Sequence, residues 1–269
     1  MMKTQLTNVA PVVPVAAYIG GKRILAGRLR EMISSIDHRL YVEPFVGMGG
    51  VFFRRDRRPQ AEVINDVSRD VVNLFRILQR HYQQFLDVLK WQVSSRAEFE
   101  RLMKQNADTL TDLERAARFL YLQRLSFGGK VRGRSFGTGT TGGARFDLTK
   151  LAPMLEDVHE RLASVVIECL PYQDLIPRYD RPHTLFYLDP PYWGCTDDYG
   201  RGLFSEGDFD RLRVLLEGIK GRFILSINDV PEIRDLFARF PMRSVDLNYR
   251  ISGGATAARE LIITNAPLF

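Results

Sequence analysis

At 269 residues the chain is long enough for one large α/β domain with a sizeable core and a smaller insertion. Its hydrophobic content of 45% excludes a disordered chain, and its formal net charge of +6, with a sequence pI of about 9.4, suits a polyanionic partner. Cys169 and Cys195 stand in no paired spacing and the four histidines (His38, His81, His159, His183) form no ligand cluster, so reduced thiols, a cytoplasmic protein and no metal are expected.

Residues 9–19 are apolar but broken by Pro11 and Pro14, and they run straight into a glycine turn. No run reaches the roughly 18 apolar residues of a membrane span, so neither a signal peptide nor a membrane partner is expected. Ile24, Leu25, Leu29, Met32, Ile33 and Ile36 predict a helix over 24–36. Residues 41–46 predict a short buried strand, ended by Gly47-Met48-Gly49-Gly50, with a helix beginning over 51–55. A second strand at 62–64 and a second helix over 71–89 follow, and 99–125 is mostly helical. Continuous apolar strands are predicted at 184–188 and 223–227, helices over 205–218 and 231–240, and a final strand at 260–264. This alternation implies a parallel sheet with crossover helices. The fold class is α/β and Rossmann-like, a mostly parallel twisted sheet flanked by helices.

Residues 115–146 depart from the rest. They hold seven basic side chains (Arg115, Arg118, Arg124, Lys130, Arg132, Arg134, Arg145) and no acidic one, and their second half is rich in glycine, serine and threonine. Two readings stand. One is a solvated, flexible loop. The other is a nucleic-acid contact loop, whose cations neutralise phosphates and release counterions.

Asp189-Pro190-Pro191-Tyr192 follows the apolar run Leu185-Phe186-Tyr187-Leu188. It therefore falls at the carboxyl end of a parallel strand, where open α/β sheets bind ligands. An amino nitrogen on an adenine ring is a poor nucleophile because its lone pair is delocalised. A carboxylate and a backbone carbonyl can each accept one of its N–H bonds, which turns the lone pair toward a methyl donor. Asp189 and the carbonyl of Pro190 provide such a pair, stiffened by proline, and Tyr192 offers a flat face for a base. The alternative is a strand-end turn with a capping aspartate.

Glu43-Pro44-Phe45-Val46-Gly47-Met48-Gly49-Gly50 also follows a strand and opens a helix. Glycines there let the backbone approach a ligand closely. Asp66 comes 19 residues after Gly47, at the end of the next strand. An acid at that place either hydrogen-bonds ribose hydroxyls or caps the helix that follows. Tyr18-Ile19-Gly20-Gly21-Lys22 is a tight turn between an aromatic and a cation, and in isolation reads as a generic loop.

Taken in order, these motifs resemble those of the Dam-type DNA adenine methyltransferases. Phe119-Leu120-Tyr121-Leu122-Gln123-Arg124-Leu125-Ser126-Phe127-Gly128-Gly129, Ser226-Ile227-Asn228-Asp229 and Arg259-Glu260-Leu261-Ile262-Ile263-Thr264-Asn265 extend the resemblance over nearly the whole chain. The resemblance implies transfer of a methyl group from S-adenosyl-L-methionine to the 6-amino group of an adenine in DNA. It places Tyr18, Lys22, Glu43, Phe45, Gly47, Gly49, Asp66, Asp174 and Asp189 at the cofactor, and Asp189, Pro190 and Tyr192 at the reacting base. It also implies a catalytic domain of residues 1–90 and 165–269 and a mainly helical and loop target-recognition domain of residues 91–164. Arg124, Lys130, Arg132, Arg134 and Arg145 are then the expected DNA contacts. A monomer is expected, a dimer being the alternative.

Where the family reads Phe-Asn-Gly-Leu, this chain has Phe127-Gly128-Gly129-Lys130, followed by a glycine-rich run to Gly143. Such a loop grips phosphate but offers few side chains to base edges, so relaxed or very short site specificity is expected. The target adenine is expected to leave the duplex and stack on Tyr192, with Tyr199 or Phe204 alongside. Two other classes stay open: an RNA or protein-amide methyltransferase with a similar motif, and a non-catalytic nucleic-acid-binding protein.

Overall fold

The computed structural model describes residues 6–266 except 19, 23, 138–142, 197–201 and 252–253. Nine strands are described: β1 (Thr7–Asn8), β2 (Leu40–Glu43), β3 (Arg57–Arg58), β4 (Ala61–Asn65), β5 (Val166–Glu168), β6 (Thr184–Leu188), β7 (Arg222–Asn228), β8 (Met242–Ile251) and β9 (Gly254–Thr264). β1 and β3 make a two-residue antiparallel pair. The other seven form one sheet in the order β5-β4-β2-β6-β7-β9-β8. The first five run parallel. β9 enters antiparallel to β7, and β8 closes the edge as its hairpin partner. The carboxyl ends of β2, β4 and β6 thus lie side by side, which gathers the predicted motifs along one edge of the sheet.

The central strands are apolar throughout because both faces are covered. Side chains alternate between two cores. On β6, Leu185 and Tyr187 enter one, Phe186 and Leu188 the other. The second core receives α7 (Tyr172–Tyr179), α8 (Glu206–Glu217) and α9 (Pro231–Leu236). The first receives α1 (Ala26–Ser35), α2 (Arg69–Arg80), α3 (Tyr82–Leu89), α4 (Arg96–Lys104), α5 (Asp112–Leu125) and α6 (Leu148–Leu162). Among the described residues, 91–164 therefore share one core with α2 and the sheet. Phe99, Leu120 and Leu155 share theirs with Leu74 and Phe75 of α2.

Several predicted elements are redrawn. The helix predicted over 71–89 breaks at His81 (φ −128°, ψ 34°), which separates α2 from α3. The helix predicted from Val51 is one 3-10 turn, Phe52–Arg54. Arg55 then extends so that its buried guanidinium pairs with Glu62 and stacks 3.7 Å from the centre of the Tyr41 ring. The helix α6 has no counterpart among the predicted elements, and Pro153 within it argues against one. Leu151, Leu155, Val158 and Leu162 all face the core at helical spacing, and their burial outweighs the single lost N–H bond. α5 is set by Thr111 and Glu114, which bond each other's backbone as a capping box.

Candidate active site

The glycine loop begins where β2 ends. Val46 N–H donates to the carbonyl of Asn65, and Asn65 in turn donates to the carbonyls of Pro44 and Leu170 at 2.9 and 3.0 Å. These bonds lace the loops after β2, β4 and β5 together. Gly47 lies at φ +50°, and a Cβ there would fall 2.9 Å from the Tyr18 ring, so the ring packs flat against bare backbone. Gly49, at φ +71°, makes room for the ring of Phe53 and does not line the cavity. Its role is therefore to shape the loop from behind.

Asp66 does not cap α2. One carboxylate oxygen accepts the Gly47 N–H at 2.9 Å and the other the Ser68 N–H at 2.8 Å. Burial pushes its carboxyl up to about 6, and those two backbone bonds pull against the rise. Glu43 is more extreme. Burial pushes it to about 8, although it accepts the Tyr41 hydroxyl at 2.8 Å.

Asp189 leaves the fully buried strand β6 and meets Lys22 from the turn before α1. Lys22 Nζ stands 2.7 Å from Asp189 Oδ1, 2.9 Å from the Tyr192 hydroxyl, 3.2 Å from the Gly20 carbonyl and 3.5 Å from Glu260 Oε1. The Tyr192 hydroxyl donates onward to Glu260. Burial raises the Asp189 carboxyl to about 6; Lys22 opposes the rise and Glu260 adds to it. Behind Tyr192, Trp193 N–H donates to Asn228 Oδ1 at 2.9 Å, and Asn228 donates back to the Trp193 carbonyl at 3.1 Å. This reciprocal pair fixes the chain that follows the aspartate-proline turn.

Between the glycine loop and Asp189 lies a cavity of about 390 Å³, of a size that holds small ligands. Tyr18, Lys22, Glu43, Phe45, Gly47, Asp66 and Asp189 line it, so most of the predicted cofactor residues meet there. Phe204 closes one side against Phe45 and Tyr172, with ring centres 5.9 and 5.8 Å away. Pro190 is buried and Tyr192 half-buried, and neither is among the residues that line the cavity. Asp174 stands exposed in the first turn of α7, outside the lining. Ile19, Tyr199 and residues 138–142 lie outside the described residues.

The basic segment divides in two. Arg115 is paired with Asp70 and Asp108, and Arg118 donates to the Leu102 carbonyl. Arg124 lines the cavity but spends its guanidinium on the carbonyls of Val15 (2.5 Å) and Arg145 (3.1 Å). Arg134 donates to Gln123 Oε1 and the Lys130 carbonyl. These four arginines hold the fold together. Lys130, Arg132 and Arg145 are exposed.

Sequence reasoning missed Glu260, which is 1% exposed. In the sequence it is an acid opening the apolar run Leu261-Ile262-Ile263, within a stretch that the family resemblance covers but to which it assigns no role.

A mostly parallel sheet with a glycine loop after one strand, an acid after its neighbour and a half-buried Asp-Pro-Pro-Tyr turn after a third defines an α/β protein with its site at the carboxyl ends of the strands. A family model described as D12 class N6 adenine-specific DNA methyltransferase matches residues 18–251, and the chain belongs to this family. It is 26% identical over 273 residues to the Type II methyltransferase M1.LlaDCHI of Lactococcus lactis subsp. cremoris, covering 94% of this chain and 95% of that one. It is 23% identical over 239 residues to the Type II methyltransferase M.CviBI of Paramecium bursaria Chlorella virus NC1A, covering 88% and 91%. It is 28% identical over 157 residues to the DNA adenine methylase of Salmonella typhi, covering 56% and 55%.

Proposed function

We propose that the protein transfers a methyl group from S-adenosylmethionine to the 6-amino group of an adenine flipped out of DNA. The observation that carries this reading is the placement of Asp189, at the end of a fully buried strand, beside both Lys22 and a cavity that the glycine loop walls.

The cavity fits the cofactor. Asp66 and Asp189 converge on it as carboxylates at neutral pH, beside a Glu43 carboxyl that burial keeps largely protonated, which suits a ligand carrying both positive charge and hydroxyls. A carboxylate offers about four lone-pair directions, and Asp66 uses one on each oxygen, leaving acceptors for ribose hydroxyls. Gly47 lets a ligand lie against bare backbone. Bound there, S-adenosylmethionine supplies an electrophilic methyl group on a sulfonium centre.

The chain's own part is positioning. Lys22 fixes the Asp189 carboxylate, and the pair of reciprocal hydrogen bonds between Asn228 and Trp193 fixes the turn that carries it. Asp189 and the Pro190 carbonyl each accept one N–H of the adenine amino group, so the nitrogen lone pair points at the methyl carbon. Tyr192 gives the base a stacking surface, which offsets the few kcal/mol spent on unstacking. Methyl transfer is direct: the nitrogen–methyl bond forms as the methyl–sulfur bond breaks and the nitrogen releases one proton, so neither Cys169 nor Cys195 acts. Lys130, Arg132 and Arg145 meet phosphates, and among the described residues no helix is long and apolar enough to cross a membrane.

Asp189→Ala is expected to abolish labelled-methyl transfer to DNA, a loss on the order of 10³-fold or more, while leaving the fold intact by circular dichroism. DNA, RNA and protein acceptors assayed side by side decide the substrate class. Undiminished transfer to DNA by the variant sinks the assignment.

A further inference from the structure

We propose that Glu260 is a positioning residue for methyl transfer: it tethers the Tyr192 hydroxyl, shares the Lys22 ammonium, and so keeps one Asp189 oxygen turned toward the acceptor base. The proposal rests on the roles of Asp189 and Tyr192 given above.

β9 pairs with β7 so that Glu260 stands opposite Asn228, at the end of β7 that faces the cavity edge. Leu261, Ile262 and Ile263 follow it, each fully buried, and Glu260 itself is 1% exposed. A carboxylate in such surroundings is costly unless it is paired. Its partners include Lys22 and Tyr192, both of which also belong to the Asp189 cluster. The bonds run in one direction: Lys22 donates to the Tyr192 oxygen, and Tyr192 donates to Glu260.

Lys22 has three N–H bonds and four oxygens around it, at 2.7 Å (Asp189), 2.9 Å (Tyr192), 3.2 Å (Gly20) and 3.5 Å (Glu260). Without Glu260, the Tyr192 proton loses its acceptor and turns elsewhere. The ammonium then closes onto Asp189, the carboxylate that the amino group needs. Glu260 thus acts through Tyr192 and Lys22 and touches no substrate itself.

The charge of Glu260 also bears on titration. The groups facing Asp189 are Lys22, Glu260 and Glu43, with the hydroxyls of Ser226 and Tyr187. Lys22 holds the Asp189 carboxyl down and Glu260 pushes it up. Neutralising Glu260 therefore moves the acid limb of activity to lower pH, which a merely structural role would not do.

The test compares wild type with Glu260→Gln, Tyr192→Phe and the double variant, all full length. Cofactor affinity is read by calorimetry. The constants kcat and KM are read from labelled-methyl transfer to unmethylated plasmid DNA across pH. Glu260→Gln is expected to bind cofactor close to normally, to lose kcat on the order of 10²-fold with KM little changed, and to show an acid limb at lower pH. The double variant is expected to be no slower than the slower single one, because Glu260→Gln removes the charge, though not the acceptor, from the chain of bonds that Tyr192→Phe breaks. Wild-type kcat in Glu260→Gln, an unmoved limb, or multiplied losses in the double variant each overturn the proposal. If Glu260→Gln fails to bind cofactor, Glu260→Asp decides: it keeps the charge but shortens the reach, so a reduced kcat with the wild-type limb supports the proposal and an undiminished kcat overturns it. A wild type that labels no DNA overturns the reading beneath as well.

Discussion

Asp189, Asp66 and Glu43 all lose water on burial, yet each answers to different neighbours. Asp66 is held by two backbone N–H groups, Asp189 by an ammonium, and Glu43 by a hydroxyl. Only Asp189 stands beside the aromatic that would carry the base. Its carboxyl is raised to about 6, so the protonated form gains as pH falls through that value. A protonated carboxyl accepts poorly from the amino group. The kcat/KM of the free enzyme is therefore expected to fall as pH drops through about 6, with an acid limb above the ordinary aspartate value of about 4. A limb at that ordinary value would contradict the geometry. Gly47 shows a constraint of another kind: its φ of +50° and the Tyr18 ring 2.9 Å from the missing Cβ leave no room for a side chain.

At the scale of elements, a buried ion triad joins β4 to the last helix of the inserted segment. Glu62 of β4 pairs with Arg55 and takes both terminal nitrogens of Arg161, from the end of α6, at 2.7 Å. Burial pushes the Glu62 carboxyl up, but the two guanidiniums more than offset it and hold it below its usual range. The stability this contributes is present above the unfolded value and is lost as pH falls through the lowered folded value. Glu62→Ala leaves two buried cations without their partner, and a loss of about 3–5 kcal/mol in urea unfolding is expected. A loss below about 1 kcal/mol would mean that the triad contributes no more than an exposed pair. Strands β2, β4, β6, β7 and β9 and the glycine and aspartate-proline turns are legible in the sequence, because each strand carries a contiguous apolar run, whereas β5 and β8 have no counterpart among the predicted elements. Asp66 is legible as an acid at a strand end, whereas Lys22 sits in what reads as a generic loop and is singled out only by the family resemblance. α6 is hidden by Pro153, and the break at His81 leaves no mark in the apolar period. The role of Glu260 is out of reach because it depends on β9 entering antiparallel between β7 and β8, a pairing that no local pattern encodes. Arg124 and Arg134 read as surface charge in composition, and only the fold reveals that they donate to carbonyls and an amide oxygen.

For the whole molecule, the surplus positive charge matters where it is exposed. Lys130, Arg132 and Arg145 replaced by glutamine are expected to flatten the dependence of log K on log salt for DNA binding by roughly 0.9 for each phosphate no longer neutralised. The same change at Arg134 is expected to lower thermal stability and leave that slope in place. Equal effects on the slope at Arg134 and Arg132 would show that burial does not separate them. The segment that carries these cations packs its helices into the core that α2 and the sheet already share. That has a consequence for how recognition can change in evolution. A segment with its own core can be exchanged between relatives as a cassette. Here residues 91–164 taken alone would strip Leu74 and Phe75 of their cover and leave Glu62 without Arg161. If this segment reads the target, as proposed, new target sequences are expected from substitution at exposed positions such as Lys130, Arg132 and Arg145, and not from transplanting the segment.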